Sequence, residues 1–250
     1  MASTTASRGT TIIITTAMTT TITTTDGAAL YRLLAWLSPA YPVGAYTYSH
    51  GLETAVEDGR ITTRAALVDY IATVLRAGAG RIDGALLVAA WGAAMAGDDA
   101  ALDEAASLAA AWRGTAETAL ESMAQGTAFT GVTQSAWPDA RFATFAARHP
   151  RALAHPVAFG AAAGFQDIPL RPALAGWLGA FAANLVSAGV RLVPLGQTDG
   201  QIATAALHPV VEAAADAALA AELDALGTAA PMLDLLSMRH ETQYTRLFRS

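Results

Sequence analysis

The chain contains no cysteine and no lysine among its 250 residues, and only 7% of them are aromatic. The absence of cysteine excludes disulfide scaffolds, thiolate zinc sites and cysteine nucleophiles. The absence of lysine leaves a Walker-type nucleotide loop without its phosphate-binding cation. All 15 basic residues are arginines, and 21 acidic residues give a net charge of −6. Because an acidic chain is poorly suited to nucleic acid, we expect protein partners and no nucleic-acid partner.

Small apolar side chains dominate the composition, which is 53% hydrophobic and includes 61 alanines. Such a composition favours closely packed helices. Apolar residues recur at helical spacing along most of the chain, whereas alternating stretches of useful length are missing after residue 26. The sequence therefore predicts an all-α fold, organised as a single helical-bundle-like domain of about ten helices.

Local patterns predict where these helices begin and end. Thr62 or Thr63 and Asp98 or Asp99 are expected N-caps, and Gly97 is an expected helix stop. Arg113 and Glu117 are expected to pair across one helical turn. The predicted helices cover residues 27–37, 44–58, 63–75, 81–96, 99–112, 113–125, 138–148, 156–164, 172–190, 198–206 and 208–226.

Two segments raise the question of targeting or membrane insertion. Residues 1–26 hold twelve threonines, and their three consecutive isoleucines are too few for a secretory signal, so a disordered leader is expected. Residues 172–190 carry no formal charge and have the length of a membrane span. Their alanines and glycines contribute little transfer energy, which favours a buried core helix. We expect a cytoplasmic protein without a membrane segment.

No arrangement of residues points to catalysis. The run from His240 to Tyr244 begins like a zinc-protease helix, but Tyr244 stands where the second histidine ligand is required. The remaining histidines are isolated from one another in sequence. The alternative that stays open is a small-molecule enzyme of an α-helical bundle, with a pocket near Tyr48, His50 and Glu53.

Three segments depart from the alanine-rich background. Residues 38–53 combine a rigid proline and glycine corner with three tyrosines, which suit either a core or an interface. Residues 191–201 contain an expected capping box of Thr198 and Gln201, and also bring Arg191, Gln197 and Asp199 to one turn. Residues 235–250 carry a charge of +2 and the residue types enriched at interfaces. Each segment is consistent with an ordinary turn or terminus, or with partner binding.

Together these segments resemble the UreF family of urease accessory proteins. The resemblance spans residues 30–250, and its motifs occur in the same order and with similar spacing. The motifs are Leu37-Ser38-Pro39-Ala40-Tyr41-Pro42-Val43-Gly44, Tyr48-Ser49-His50-Gly51-Leu52-Glu53, His155-Pro156-Val157-Ala158-Phe159-Gly160, Arg191-Leu192-Val193-Pro194-Leu195-Gly196-Gln197-Thr198-Asp199-Gly200-Gln201 and Ser237-Met238-Arg239-His240-Glu241-Thr242-Gln243-Tyr244-Thr245-Arg246-Leu247-Phe248-Arg249-Ser250.

The resemblance implies a homodimeric, all-helical chaperone without catalytic activity of its own. Such a protein binds a UreD/UreH-type accessory protein and, with it, recruits and modulates a UreG-type GTPase. The GTPase binds GTP and carries nickel, which then passes to the urease apoprotein. The resemblance implies no cofactor for this chain, and we assign no metal ligand. Whether nickel touches the chain stays open.

The resemblance also divides the chain into residues 27–238, the UreF-like domain, and residues 239–250, a basic tail that a partner would order. Deleting residues 239–250 is expected to abolish ternary assembly while leaving the helical content intact. An arginine finger at Arg191 or in the tail is a further alternative. The residues expected to contact partners are Tyr48, His50, Glu53, Arg191, Pro194, Gly196, Gln197, Asp199, Gln201, Arg239, His240, Glu241, Tyr244, Arg246, Phe248 and Arg249.

Overall fold

The computed structural model describes residues 26–150 and 153–250, and within these ranges the chain is helical and has no strand. The all-α prediction is therefore confirmed for the described residues. The predicted leader lies outside them, except for Asp26. The helices are α1 (Gly27–Trp36), α2 (Leu52–Glu57), α3 (Arg64–Ala77), α4 (Ala79–Ala96), α5 (Asp99–Ala111), α6 (Ala116–Ala136), α7 (Ala140–Arg148), α8 (His155–Phe165), α9 (Leu170–Leu192), α10 (Gln197–Leu219) and α11 (Pro231–His240), with short 3-10 helices at Ala45–Thr47 and Leu223–Ala225.

Helix α8 lies at the centre of the molecule, and all ten residues from Pro156 to Phe165 are buried. It packs most extensively against α4. The two helices approach closely because Gly160 and Gly164 have no side chain, and a Cβ atom at Gly160 would overlap the carbonyl oxygen of Leu87. The buried apolar residues form one continuous core that extends from Ala29 to Phe248.

Several local predictions are confirmed. The Thr63 hydroxyl accepts a hydrogen bond from the Ala66 N–H and caps α3. Asp98 caps α5 in the same way, by accepting from the Ala101 N–H. Gly97 ends α4 in the left-handed conformation, with φ of 66°. These features depend on residues within one turn of each other, which explains why the sequence alone locates them.

Other boundaries differ from the predictions. The helix predicted at 44–58 is a 3-10 turn followed by α2, because Tyr48 is extended and His50 and Gly51 are left-handed. The helix predicted at 113–125 begins at Ala116, with Thr115 as its N-cap, and continues to Ala136. Helix α11 was not among the predicted helices.

The two helices predicted at 198–206 and 208–226 are one helix, α10, which contains Pro209. Packing of α10 against α9, α3 and α4 stabilises the helix on both sides of the proline. The predicted capping box of Thr198 and Gln201 is wrong, since Gly196 is the N-cap and Thr198 lies inside the helix.

Helices α9 and α10 are both long and apolar enough to cross a membrane. Half of the most apolar window of α9 is buried inside the protein, and 39% of that of α10. Length and composition alone are weak evidence for a span, because the core helix of a soluble protein also passes this test.

Replacing Gly126 with alanine is expected to destabilise the protein strongly. A Cβ atom there would overlap the carbonyl oxygen of Leu153, a backbone atom that cannot move aside easily. Overpacking typically costs about 1–3 kcal/mol, and more where backbone must shift. Gly131→Ala on the same helix is the matched control, since nothing lies within 4 Å of its Cβ position. Urea unfolding measures both variants, and equal stability would contradict the close approach.

Candidate partner-binding site

The segment 38–45 that follows α1, which we call the corner, is hydrogen-bonded to two helices that are distant in sequence. The Tyr41 hydroxyl lies 2.8 Å from the Thr133 hydroxyl on α6. The Asn184 side chain on α9 donates to the Ala45 carbonyl at 2.8 Å. The corner is therefore a rigid part of the structure and positions the residues that follow it.

The chain reverses direction at His50 and Gly51, which both have left-handed backbone conformations with φ of 59° and 77°. The Tyr70 hydroxyl donates to the His50 carbonyl at 2.8 Å and holds this turn. A Cβ atom at Gly51 would lie 3.0 Å from the Ser237 backbone nitrogen, so α2 begins directly against α11. As a result the His50 and Glu53 side chains are both buried.

His240, the last residue of α11, lies fully buried between two carboxylates. Its Nδ1 is 2.9 Å and 3.0 Å from the two carboxylate oxygens of Glu117. Its Nε2 is 2.9 Å from Glu53 Oε2. Both ring nitrogens of His240 are therefore within hydrogen-bond distance of a buried carboxyl group.

Glu53 also binds the backbone of the last ten residues, 241–250, which we call the C-terminal segment. Its carboxylate accepts the Leu247 N–H at 2.6 Å and the Phe248 N–H at 3.0 Å. The Arg249 N–H donates to the Thr47 carbonyl at 2.7 Å. The C-terminal segment is thus hydrogen-bonded to the body of the chain through Glu53 and Thr47. Ordering of the tail by a partner stays a prediction.

Two further contacts complete what we call the buried ionic cluster, which consists of the buried Glu53, Glu117, Glu121, His50 and His240, with Arg246 at its exposed edge. Arg246 donates to Glu117 at 2.9 Å. His50 Nδ1 lies 3.0 Å from Glu121, which also accepts from the Gln125 amide and the Ser250 hydroxyl. Three carboxylates therefore face one arginine and two histidines.

Two histidines, His50 in the cluster and His155 in the core, differ in how their surroundings shift the pKa. Burial by itself would lower the pKa of His50, but the charge of Glu121 and its hydrogen bond raise that pKa above its ordinary value. His155 packs against the rings of Phe129, Phe159 and Trp177. Its burial lowers its pKa to about 4, so the ring is neutral near pH 7. The His155 motif therefore belongs to the core.

Through Arg191, at the end of α9, the predicted segment 191–201 contacts the 3-10 helix Ala45–Thr47 and the C-terminal segment. The Arg191 guanidinium lies 4.4 Å from the centre of the Phe248 ring, and its Nη2 donates to the Tyr46 carbonyl at 2.8 Å. Partial burial lowers the pKa of Arg191 from its ordinary value. Arg249 lies over the Tyr48 ring at 5.8 Å. The corner, Arg191 and the C-terminal segment thus form one continuous site.

The other predicted residues of the segment 191–201 are not among these contacts. Asp199 pairs with Arg64 on α3 at 2.5 Å. Arg191 and Asp199 therefore have different partners, and the binding role expected for this turn stays a prediction. Pro194, Gly196, Gln197 and Gln201 are exposed at the start of α10.

The sixteen residues expected to contact partners divide into two groups. Tyr48, His50, Glu53, His240 and Phe248 are buried, so in this conformation they support the site from inside. The more accessible group consists of Arg191, Pro194, Gly196, Gln197, Asp199, Gln201, Arg239, Glu241, Tyr244, Arg246 and Arg249.

Sequence reasoning missed the acidic face of α6. Glu117, Glu121 and Gln125 recur every four residues and therefore share one face of the helix. In an isolated sequence such a polar face indicates solvent, which is why its burial went unrecognised. Among residues 26–150 and 153–250 there is no group of three or more histidine, aspartate or glutamate side chains arranged to hold a metal ion.

The predicted pair of Arg113 and Glu117 is wrong, because Arg113 precedes α6 and faces the interior. Arg113 instead pairs with Asp83 on α4 at 2.9 Å, and both side chains are more than nine-tenths buried. Glu117 belongs to the buried ionic cluster. Helix α6 therefore contributes to the site through its first two turns.

Replacing Asp83 with alanine is expected to lower the free energy of unfolding by about 3–5 kcal/mol, because it leaves the Arg113 charge buried without a partner. Asp103→Ala is the matched control, since Asp103 pairs with Arg148 near the surface. Exposed pairs contribute about 1 kcal/mol or less. Urea unfolding compares the two variants, and equal losses would contradict the assignment of a buried pair.

A cavity of about 310 Å³ lies beside the cluster. Its walls include His50, Arg113, Thr118, Asp234 and Ser237. Of the three residues proposed for an enzymatic pocket, only His50 lines this cavity, while Tyr48 and Glu53 face elsewhere. The trio therefore does not line this cavity together.

The fold and the site define an all-helical protein that presents an ordered C-terminal segment on a buried ionic cluster. A family model described as UreF matches residues 61–208. The chain is 68% identical to a urease accessory protein UreF of Granulibacter bethesdensis, over 89% of this chain and 94% of that protein. It is 52% identical to one of Rhodopseudomonas palustris strain HaA2, over 90% and 95%, and 51% identical to one of Bradyrhizobium sp. strain ORS 278, over 89% and 92%. The chain belongs to the UreF family of urease accessory proteins, which confirms the resemblance.

Proposed function

We propose that this protein is a non-catalytic scaffold that bridges a UreD/UreH-type accessory protein and a UreG-type GTPase during urease maturation. Family membership supports the accessory role. The observation that carries the bridging role is the C-terminal segment, whose backbone is fixed to the body while many of its side chains face outward.

The C-terminal segment combines buried anchors with exposed contact groups. Phe248 and Ser250 are buried, whereas Tyr244 is fully exposed and Leu247 is 64% exposed. Arginine and tyrosine are enriched at the cores of protein interfaces. Ordering of the segment by a partner costs conformational entropy, and the hydrogen bonds of its backbone to Glu53 and Thr47 offset part of that cost.

Helix α11 extends this surface. Met232, Leu235 and Met238 recur every three residues and are all about half exposed. Arg239 follows Met238 on the same helix, and Arg246 and Arg249 lie in the C-terminal segment. All three arginines are exposed. An apolar strip with arginines at one end fits a partner surface that is apolar and edged by carboxylates.

The remaining roles follow from this scaffold. The GTPase partner binds GTP, nickel is cargo of the complex, and the urease apoprotein receives it. The scaffold changes GTP hydrolysis only through unequal affinity for the nucleotide states of the GTPase. We further propose a cytoplasmic homodimer without a cofactor of its own.

Light scattering on a sizing column tests the proposal. The chain is mixed with a UreD/UreH-type protein and a UreG-type GTPase in its GDP form. Co-elution of all three, at a mass that fits two copies of each, is the expected result. Elution of the folded chain alone, at partner concentrations well above the micromolar range, would refute the bridging role.

A further inference from the structure

We propose that the cavity beneath α11 binds a small zwitterion of the amino-acid class, with its carboxylate at Arg113 and its ammonium group at Asp234. The site is a property of the isolated chain and goes beyond the proposed function, since binding of the zwitterion requires no partner protein. It is also separate from the carboxylates that anchor the C-terminal segment, because Glu53 and Glu117 do not line the cavity.

The cavity has the size and the walls of a site for a small molecule. Its volume of about 310 Å³ lies at the lower end of the range for ligand sites. Much of its wall is apolar and comes from Ala79, Ile82, Trp112, Ala230 and Leu233. Apolar walls with a few convergent polar groups are typical of ligand sites, and here they suit the carbon skeleton of an aliphatic amino acid.

Arg113 offers N–H groups to a carboxylate inside the cavity. Its side chain is only 6% exposed, and its Nη2 lies 2.9 Å from Asp83 without the alignment of a hydrogen bond. Its Nε donates to the Ala109 carbonyl at 3.3 Å, and no group in the described part of the chain accepts a hydrogen bond from Nη1. Because a guanidinium carries five N–H donors in a planar fork, Arg113 can bind a ligand carboxylate and keep Asp83 as its neighbour.

The N-terminal end of α4 faces the same cavity. Its N-cap Gly78 and its first residue Ala79 both line the wall. Among residues 26–150 and 153–250 no side chain caps this end of the helix. The first backbone N–H groups of a helix and the positive end of its dipole favour a carboxylate, which supports the same orientation of the ligand as Arg113 does.

Asp234 supplies the opposite charge from the roof of the cavity. It lies in the first turn of α11, directly against Gly114, where a Cβ atom would be 2.8 Å from the Asp234 Oδ1. Gly114 follows Arg113 in the chain, yet within the described residues Arg113 pairs with Asp83 and not with Asp234. Two opposite charges that line one cavity without contact are matched by a ligand that carries both charges. A ligand with a carboxylate alone would leave Asp234 unpaired.

An amide NMR titration of the full chain tests the site. The four probes are glycine, β-alanine, L-valine and γ-aminobutyrate, which differ in the distance between their charges and in apolar bulk. At least one should shift the Gly78 and Gly114 amides saturably, with a Kd of about 1 mM or tighter. The Gly59 and Gly97 amides, which do not line the cavity, should stay in place. Single-charge counterparts of the bound probe, such as isovalerate and isobutylamine for L-valine, should bind about tenfold or more weakly, since each lacks one charge-assisted hydrogen bond.

Two variants locate the ligand. Asp234→Asn keeps the size of the side chain, and it should weaken the zwitterion about tenfold or more while leaving the carboxylate-only counterpart unweakened. Asp224→Asn makes the same change at an exposed aspartate outside the cavity and should bind like the original chain. Ala79→Leu fills the cavity without removing a charge and should abolish binding. Its matched control is Ala96→Leu, at the exposed far end of the same helix.

The outcomes separate this site from the proposed function. The absence of a saturable shift with all four probes would overturn the site. Shifts that Asp234→Asn and Ala79→Leu leave at full strength would overturn it as well, because the probe would then bind elsewhere. A chain that binds the zwitterion but never co-elutes with its partners would support the site and refute the bridging role.

Discussion

Replacing Glu53 with alanine is expected to release the C-terminal segment and to lower the free energy of unfolding by about 3–5 kcal/mol. The substitution removes the acceptor for the Leu247 and Phe248 N–H groups and the partner of His240 Nε2. All three nitrogens then lose a partner in or near the core. Urea unfolding and amide exchange at Leu247 measure the two effects, and binding to the UreD/UreH-type partner should fall with the second.

Glu57→Ala is the matched control for this substitution. Glu57 lies on the same short helix but is exposed, so its loss removes a similar charge without touching the cluster. Glu53→Gln keeps one acceptor oxygen and should give an intermediate loss. If Glu53→Ala were as stable as Glu57→Ala, and protected Leu247 equally well, the anchoring role of Glu53 would be disproved.

Deleting residues 244–250 is expected to abolish co-elution with the partners while the helical core stays folded. This truncation removes the exposed Tyr244, Arg246, Leu247 and Arg249 but keeps His240 between Glu53 and Glu117. The longer deletion of residues 239–250, which the sequence suggested, also removes His240. It would leave two buried carboxylates facing each other, so it lowers stability as well as binding.

A double substitution distinguishes the exposed side chains of the C-terminal segment from the backbone bonds that anchor it. Tyr244→Ala combined with Leu247→Ala removes two exposed side chains but keeps every backbone bond of the C-terminal segment. It should weaken co-elution while leaving the free energy of unfolding, measured in urea, within about 0.5 kcal/mol of that of the original chain. Undiminished co-elution of the truncated chain would show that partners bind elsewhere.

The sequence predicted features that depend on neighbouring residues. Thr63 and Asp98 cap helices through bonds to a residue three positions ahead, and Gly97 ends a helix through its own conformation. Predictions that depended on whether a side chain is exposed were less accurate. Arg113 and Glu117 have the spacing of a surface pair, yet tertiary packing turns both inward to different partners.

The same distinction applies to the candidate site. The motifs identified the correct segments, because residue order along the chain is what a family resemblance compares. They did not show which side chains point inward. Tyr48, His50, Glu53, His240 and Phe248 were expected to contact partners, and the structure places them in the interior. Their contact with partners stays a prediction.

The amino-acid sequence was sufficient to predict the helical class and, through the order of its motifs, the membership in the UreF family. Both depend on local periodicity and on residue identity. The sequence did not predict that Glu53 binds the backbone of Leu247 or that His240 lies between Glu53 and Glu117. Each of these three contacts joins residues more than 120 positions apart, and no local pattern encodes a contact that forms only when the intervening helices pack together.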